Sequence, residues 1–464
     1  MAATKTFDIE PRVVGRVDLG SRKGESVIIA GRMAEKNNCE PIMFDGSDNF
    51  VVFEVGKRGS GKSYGMGSLL EAFATGEGSQ IGRHRERRAV VLLDPLDIHW
   101  TALVPLSADG PEGLRRQHDV LTKWGGGEAE PINVRVFVPA GHGWHIDHPD
   151  FREYRLPVSS LTAGDWGLLI KSDLITEPRG RLIDEAFRKV TELGWDGNDS
   201  MGNRVPKSDY SIADLIDCID HDSEIQGFYA PETCRSVVQP LRSLARMPLF
   251  QSSEGTPLTE LAVAGVFSIL CLGRLSDDLR TVLTTVIVRK LKSDRMYASQ
   301  IRRRLALSAE AEGTREALEM ELRRHVPRTI LALDEAQILM PSRGANTARQ
   351  ALDSFVLEGR NFGLSLWLAT QRPKGAISDA AASQIDTFIV HRLSVAEDIS
   401  AVCGLLQNSQ PDKIRLSGRE LELPEMIRAL DVGQAIFSSA TSSAARFVVG
   451  TVRPRNVAHG GEAF

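Results

Sequence analysis

The sequence is poor in cysteine. Its five thiols (Cys39, Cys218, Cys234, Cys271 and Cys403) are far apart in 464 residues, and none forms a C-x-x-C pair. That spacing excludes a disulfide scaffold and a paired-cysteine zinc module, and it fits thiols kept reduced. Long hydrophobic runs are also missing: the longest mostly apolar stretch, Leu261 to Gly273, has 13 residues, too few to cross a bilayer as a helix. The N-terminal MAATKTFDIEPR lacks the apolar segment of a signal peptide. The expectation is a cytoplasmic protein with no membrane partner. Nor is there an excess of positive charge, because 56 Lys and Arg face 61 Asp and Glu, leaving a net charge of −5. A broad basic coat for nucleic acid is disfavoured, while a narrow basic stripe, such as a pore lining, remains open. Internal repeats and low-complexity segments are absent.

What is present is an ordinary globular composition, 42% hydrophobic and 25% charged. At about 150 residues per domain, the length suits one large domain with additions, or two to three smaller ones. Short apolar runs rich in β-branched residues recur at Phe50–Val55, Ala89–Leu93, Val134–Val138, Val266–Leu272, Thr329–Leu333, Leu364–Ala369 and Thr387–Val390. Two more follow at Gln434–Phe437 and Arg446–Val449. Continuous rather than alternating apolar runs predict strands buried on both faces, as in a parallel sheet covered by helices.

Helical patterns separate several of these runs. Ser276 predicts an N-cap, with Asp277 and Asp278 in the first turn, where the helix dipole favours carboxylates. Leu279, Val282, Leu283, Val286 and Ile287 then fall on one stripe. The alternation predicts an α/β fold with a largely parallel sheet flanked by helices. Four segments are expected. Residues 1–45 form a short β appendage with strand candidates Val13–Val17 and Ser26–Ala30, and 46–171 the first part of the core. Residues 172–255, with polar turns after Asp196 and at Asn203, form a helical insertion, and 256–464 the second part of the core with a C-terminal tail.

Residues 56–63 read Gly-Lys-Arg-Gly-Ser-Gly-Lys-Ser, a complete G-x-x-x-x-G-K-[ST] pattern between a strand and a helical segment. The candidate phosphate cradle is Gly56, Lys57, Arg58, Gly59, Ser60, Gly61, Lys62 and Ser63, with Tyr64 following. Gly59 and Gly61 permit backbone angles that converge N–H groups on an anion, and the following helix adds its positive dipole end. Lys62 would reach the β- and γ-phosphates of ATP, and the Ser63 hydroxyl would ligate Mg²⁺. A chance glycine-rich turn is the bland alternative.

The strand Thr329–Leu333 ends in Asp334 and Glu335. Asp334 would hold the Mg²⁺ water shell and Glu335 would polarise the attacking water, unless the two acids merely cap a strand. Asp94, ending Val90-Val-Leu-Leu-Asp-Pro, is a third candidate carboxylate, and equally a turn-forming Asp-Pro. Gln371 at the next strand's tip is a candidate sensor of the γ-phosphate. Arg360 and Arg372 are arginine-finger candidates, the residue type that neutralises charge on a transferred phosphoryl group; each is also readable as a solvated arginine.

Together GKRGSGKS (56–63), the strand ending in Asp94, Val266–Lys292, LALDEAQ (331–337), GRNFGLSLWLATQRP (359–373), SQIDTFIVHRL (383–393) and VRPRNVAHGG (452–461) resemble the HerA/FtsK branch of RecA-like P-loop ATPases. The HerA-like group is the closer match, over most of 46–464. The resemblance implies a homohexameric ring that hydrolyses ATP at subunit interfaces and moves double-stranded DNA through its channel, a translocase of helicase type. It implies a nuclease or NAD-hydrolase-type effector as partner, in DNA repair or antiviral defence. It also implies that Arg360 acts in trans and that the tail from Arg453 to His459 braces a neighbouring subunit's nucleotide site. Residues 1–45 are too few for the family's N-terminal barrel, so that barrel would be reduced. An oligomeric ATP-binding scaffold that gates an effector is the alternative function, and the coupling ATPase of a conjugation or secretion channel is disfavoured because no membrane anchor is expected.

Three weaker signals carry structural readings. Arg83-His-Arg-Glu-Arg-Arg is expected to be a solvated loop before a strand rather than a DNA contact. Ile301 to Arg324 is expected to be an exposed helix with acid–base pairs. His142, His145 and His148 are expected in a polar loop rather than around a metal.

Overall fold

The computed structural model describes residues 13–15, 26–34, 40–125, 128–142, 147–196, 203–250, 255–307, 312–339, 347–376, 378–406, 414–416, 419–440 and 445–460. Cys39, His145 and the turn residues just after Asp196 lie outside them. In chain order the strands are β1 (Val13–Gly15), β2 (Ser26–Met33), β3 (Pro41–Asp45), β4 (Val51–Val55), β5 (Gly82–His84), β6 (Ala89–Asp94), β7 (Val134–Pro139) and β8 (Phe151–Tyr154). There follow β9 (Phe267–Cys271), β10 (Thr329–Leu333), β11 (Leu364–Thr370), β12 (Thr387–Val390), β13 (Ile414–Leu416), β14 (Arg419–Leu421), β15 (Gln434–Ala440) and β16 (Ala445–Val452).

Fourteen of these strands form one sheet, in the order β1-β3-β2-β16-β15-β12-β4-β11-β10-β6-β9-β7-β8, with β5 on β2. From β12 to β8 every pairing is parallel. The continuous apolar runs account for this block: β4, β6, β9, β10, β11 and β12 are buried along their whole length. A strand with no polar face cannot sit at a solvent surface, so both faces must be covered. Alternate residues serve different layers. Val51, Phe53 and Val55 pack with the long helix Asp277–Leu307 and the helical unit, whereas Phe50 and Val52 pack with the helix Lys62–Glu71 and the N-terminal strands.

Register places the chemistry on one edge. Val55 pairs with Thr370 and with Val390, and Leu333 pairs with Leu368 and Leu93. The carboxyl ends of β4, β6, β10, β11 and β12 therefore emerge side by side, the edge where open parallel sheets bind ligands.

Several expectations change in detail. The strands of residues 1–45 are no separate appendage and enclose no barrel of their own among the described residues. They extend the main sheet through β2, which pairs with both β3 and β16. Strands β3, β5, β8, β13 and β14 are short, and β3 starts on a proline, so neither length nor alternation marked them. The helical unit begins earlier than residue 172, at Ala163–Leu169, capped by Thr162 and Asp165. It continues through Pro178–Arg188, Ile212–His221, Ser223–Phe228 and Pro231–Ala245. Its interior holds the Trp166 indole donating to the Tyr210 hydroxyl (2.9 Å), and Lys189 on Asp222 (3.1 Å). Among the described residues, no helix is long and apolar enough to cross a membrane.

Candidate functional site

The turn after β4 is held by main-chain bonds before any ligand arrives. The Gly56 N–H donates to the Thr370 carbonyl (3.3 Å), the Lys57 N–H to Arg392 (3.0 Å) and the Ser60 N–H to Lys57 (3.1 Å). Gly61 caps the helix Lys62–Glu71 at φ 100, a left-handed conformation that other residues adopt only with strain. At Gly56 a Cβ would lie 2.5 Å from Ser60 Oγ and 2.7 Å from His391 Cβ. The two glycines thus answer different demands, one of torsion and one of space.

Lys62 projects from the first turn of this helix to the acidic pair. Its Nζ lies 2.7 Å from Asp334 Oδ1 and 2.9 Å from Glu335 Oε1, with all three side chains buried. Burial opposes the ammonium charge, but the two carboxylates outweigh it and raise the Lys62 pKa. Burial likewise opposes the Asp334 charge, and Lys62 and His99 together outweigh it, holding that carboxyl well below the usual range. His99 Nε2 is 3.1 Å from Asp334 Oδ2, so each oxygen of Asp334 has its own partner.

Glu335 has φ 46, one of three described residues other than glycine at positive φ. Such backbone costs about 1–3 kcal/mol and persists where surroundings impose it. Here they do. Oε1 accepts from Gln371 Nε2 and Oε2 from Gln337 Nε2, both at 2.6 Å. The Thr370 hydroxyl donates to Gln337 Oε1 at 2.6 Å, which fixes that amide in turn. Gln371, Glu335, Lys62 and Ser63 line one cavity of about 1180 Å³, with Lys57, Arg58, Gly59, Gly61 and Tyr64 at the same end. Gly56, Ser60 and Asp334 sit behind this lining.

The other candidates separate. Arg372 lines the cavity and is exposed. Arg360 precedes β11, at the opposite edge of the sheet from Gln371, about 20 Å away by strand length. Its guanidinium reaches Asp386 Oδ2 (2.5 Å), and it does not meet this chain's own cradle. Asp94 resolves toward its structural reading. It is fully buried and accepts from the N–H groups of Leu96 (3.0 Å), Ile98 (2.8 Å) and His99 (2.7 Å), a turn that aims His99 at Asp334.

The tail folds back on its own chain. Arg453 and Arg455 are buried in their own chain, on the two oxygens of Glu71 at 3.1 and 3.3 Å. The Asn456 N–H adds a bond to Glu71 (2.7 Å), and the Arg455 N–H donates to the Tyr64 hydroxyl (3.0 Å). His459 accepts from Arg455 Nη1 (3.2 Å), and burial and that cation push its pKa down to about 2.

Sequence reasoning missed His99, Gln337, Glu71 and the helix Glu112–Trp124 that walls the cavity. No spacing rule marks a single histidine five residues beyond a strand-end aspartate, or a lone glutamate on an apolar helix. The weaker signals are placed as follows. Arg88 is buried against Ser365 and the Ser47 carbonyl, Glu86 pairs with Arg302 and Arg328, and Arg83, Arg85 and Arg87 are exposed. Arg315 pairs with Glu319 one helical turn on, in the helix Glu312–Leu322. His148 accepts from the Asp150 N–H.

Ser63 Oγ is 3.4 Å from Lys62 Nζ, hence close to Asp334. Among the described residues no group of three or more His, Cys, Asp or Glu could cage a metal. One hydroxyl and one ionised carboxylate suit Mg²⁺, which keeps waters and takes its other ligands from phosphates.

No model of a known protein family matches the sequence, and no curated protein matches it. Solved structures do. VirB4 of Thermoanaerobacter pseudethanolicus is 13% identical with a TM-score of 0.47, covering 92% of this chain and 96% of that one. The plasmid coupling protein TrwB in complex with ADP and Mg²⁺ is 11% identical with a TM-score of 0.44, covering 90% and 88%. The genome packaging NTPase B204 from Sulfolobus turreted icosahedral virus 2, in complex with AMPPCP, is 11% identical with a TM-score of 0.30, covering 86% and 96%.

Proposed function

We propose that this chain is an ATPase that binds Mg·ATP in the turn Gly56–Ser63 and hydrolyses it with Glu335 as the water-polarising base. One observation carries the reading: Lys62 is clamped between Asp334 and Glu335, and Gln371 holds Glu335 from the other side. The two carboxylates hold the ammonium at the mouth of the turn, and the N-terminus of the helix Lys62–Glu71 supplies the attraction for phosphate. A triphosphate arriving in the turn competes for Lys62, and as Lys62 moves to the phosphate oxygens Glu335 is left with its two amide donors and a free lone pair for water. Ser63 and Asp334 would hold Mg²⁺, which supplies charge neutralisation on the phosphates. Gln371, tied to Glu335, is positioned to report whether the γ-phosphate is present.

Following the resemblance in sequence, the ATPase is proposed to work as a homohexameric ring that translocates double-stranded DNA, with a nuclease or NAD-hydrolase-type effector, in DNA repair or antiviral defence. Arg360, turned away from its own cradle, is the proposed trans finger, with Arg372 the alternative. The net charge of −5 favours one competing reading, a ring that binds ATP and gates an effector without moving DNA. ATP hydrolysis by intact hexamers, measured with and without linear duplex DNA, separates them. Strong stimulation supports the motor, and an unchanged rate assigns the scaffold role.

A further inference from the structure

Glu54 is a carboxylate in the middle of an apolar strand. It lies on the face of β4 from which Phe50 and Val52 pack toward the helix Lys62–Glu71, and it has no exposed surface. A carboxylate is rarely buried so completely unless it is paired. Both of its oxygens are taken: Trp367 Nε1 donates to Oε2 (2.8 Å), and His391 Nε2 lies 2.9 Å from Oε1. His391, just past β12, is equally buried, and its Nδ1 lies 3.1 Å from the Gln434 carbonyl. A carbonyl only accepts, so Nδ1 carries a hydrogen; Nε2 and the carboxylate then share one proton, and the buried pair is neutral as a whole.

None of these three side chains lines the cavity, yet the pair touches the glycine turn at both ends. His391 Cβ is the group that crowds Gly56, and at Gly65 a Cβ would lie 3.1 Å from Glu54 Oε1 and 3.2 Å from His391 Nε2. The His391 N–H donates to the Val55 carbonyl (2.8 Å), at the entry to the turn. The Gln434 carbonyl held by Nδ1 adjoins Gly433, whose N–H donates to the Ser60 carbonyl (3.1 Å) inside the turn. One imidazole thus ties the entry of the turn to the segment that holds its far side.

We propose that His391 is a positioning residue for nucleotide phosphate: by holding Gln434 it sets the shape of the turn Gly56–Ser63, and Glu54 and Trp367 in turn set His391. The proposal rests on the phosphate site argued above and deepens it. Main-chain N–H groups grip a triphosphate only where the backbone converges them, and a misplacement of about 1 Å can cost about a hundredfold.

Two variants of the full chain separate positioning from stability alone. Glu54→Gln can keep every bond: its amide donates to Nε2 of a neutral His391, its carbonyl accepts from Trp367, and Nδ1 still holds Gln434. Its Kd for Mg·ATP, from calorimetric titration, should stay within about threefold of the parent's. The double variant Glu54→Leu with His391→Leu leaves no buried charge but cuts the tie to Gln434. It should bind Mg·ATP at least about tenfold more weakly, with kcat at saturating ATP within about threefold of the parent's, because Lys62, Glu335 and Gln371 keep their own contacts. Parental ATP affinity in the folded double variant, a loss confined to kcat, or a Glu54→Gln protein weakened as much as the double variant would overturn the proposal and leave the phosphate site intact. If the double variant does not fold, Glu54→Leu alone carries the test, with the same loss expected and parental affinity again overturning it. A parent chain that fails to bind Mg·ATP would remove the phosphate site itself.

Discussion

Gln371 Nε2 donates to Glu335 Oε1 at 2.6 Å, joining the tips of two neighbouring parallel strands through one carboxylate. Because Lys62 and Gln337 hold the same carboxylate, its direction is fixed before water or nucleotide arrives. Glu335→Gln should therefore leave ATP binding intact and lower turnover by about a hundredfold or more. Single-turnover hydrolysis beside equilibrium binding checks this, and an unimpaired rate would remove Glu335 from the role of base.

Lys62 has a structural task as well as a proposed chemical one. Lys62→Met takes the shared cation from two buried carboxylates, a change that typically costs about 3–5 kcal/mol. The variant should lose ATP binding and also melt several degrees lower without nucleotide. A melting temperature equal to the parent's would show that the ion pair is not formed in solution.

The sign of the Asp334 shift sets a pH window. Its folded pKa lies below the ordinary value of about 3.9, so its stabilisation is present above that value and lost as pH falls below it. Thermal unfolding between pH 3 and 6 should show a steeper acid limb in the parent than in Asp334→Asn. Parallel limbs would contradict the depressed carboxyl.

Arg360→Ala should lower hydrolysis without changing the oligomeric state of the chain. Mixing it with a Lys62 variant should restore part of the rate if the two residues act from different subunits. If mixtures stay inactive, the Asp386 partnership is the whole role of Arg360.

Glu71→Gln should be among the most destabilising single-atom changes in the chain, because it leaves the buried Arg453 and Arg455 without their counter-charge, at a cost of about 3–5 kcal/mol. Denaturant unfolding gives the number, and a loss below about 1 kcal/mol would mean that solvent reaches this pair.

The parallel core was legible because its signals are local. Thr329–Leu333 and Thr387–Val390 are apolar throughout, and a strand buried on both faces announces itself that way. The spacing of Gly56, Gly61, Lys62 and Ser63 was legible for a similar reason, since one turn supplies all of it. What escaped depends on partners remote in the chain. Pro41–Asp45 is a strand only because β2 lies beside it, and Glu71 is unremarkable until residues 453–456 fold over it. His99 matters because the Asp94 turn aims it at a carboxylate 235 positions onward. The tail is legible only in part: two arginines in a sequence say that they need anions, and the fold supplies Glu71.

That last arrangement bears on how the molecule is made. Glu71 leaves the ribosome 382 residues ahead of Arg453. Domains start folding from the N-terminal side during synthesis, yet the helix behind the glycine turn obtains its internal counter-ions only after 382 further residues have been made. A nascent chain that has not yet reached residue 453 thus carries a helix whose carboxylate still needs water, so this helix is completed by a segment remote from it in the chain.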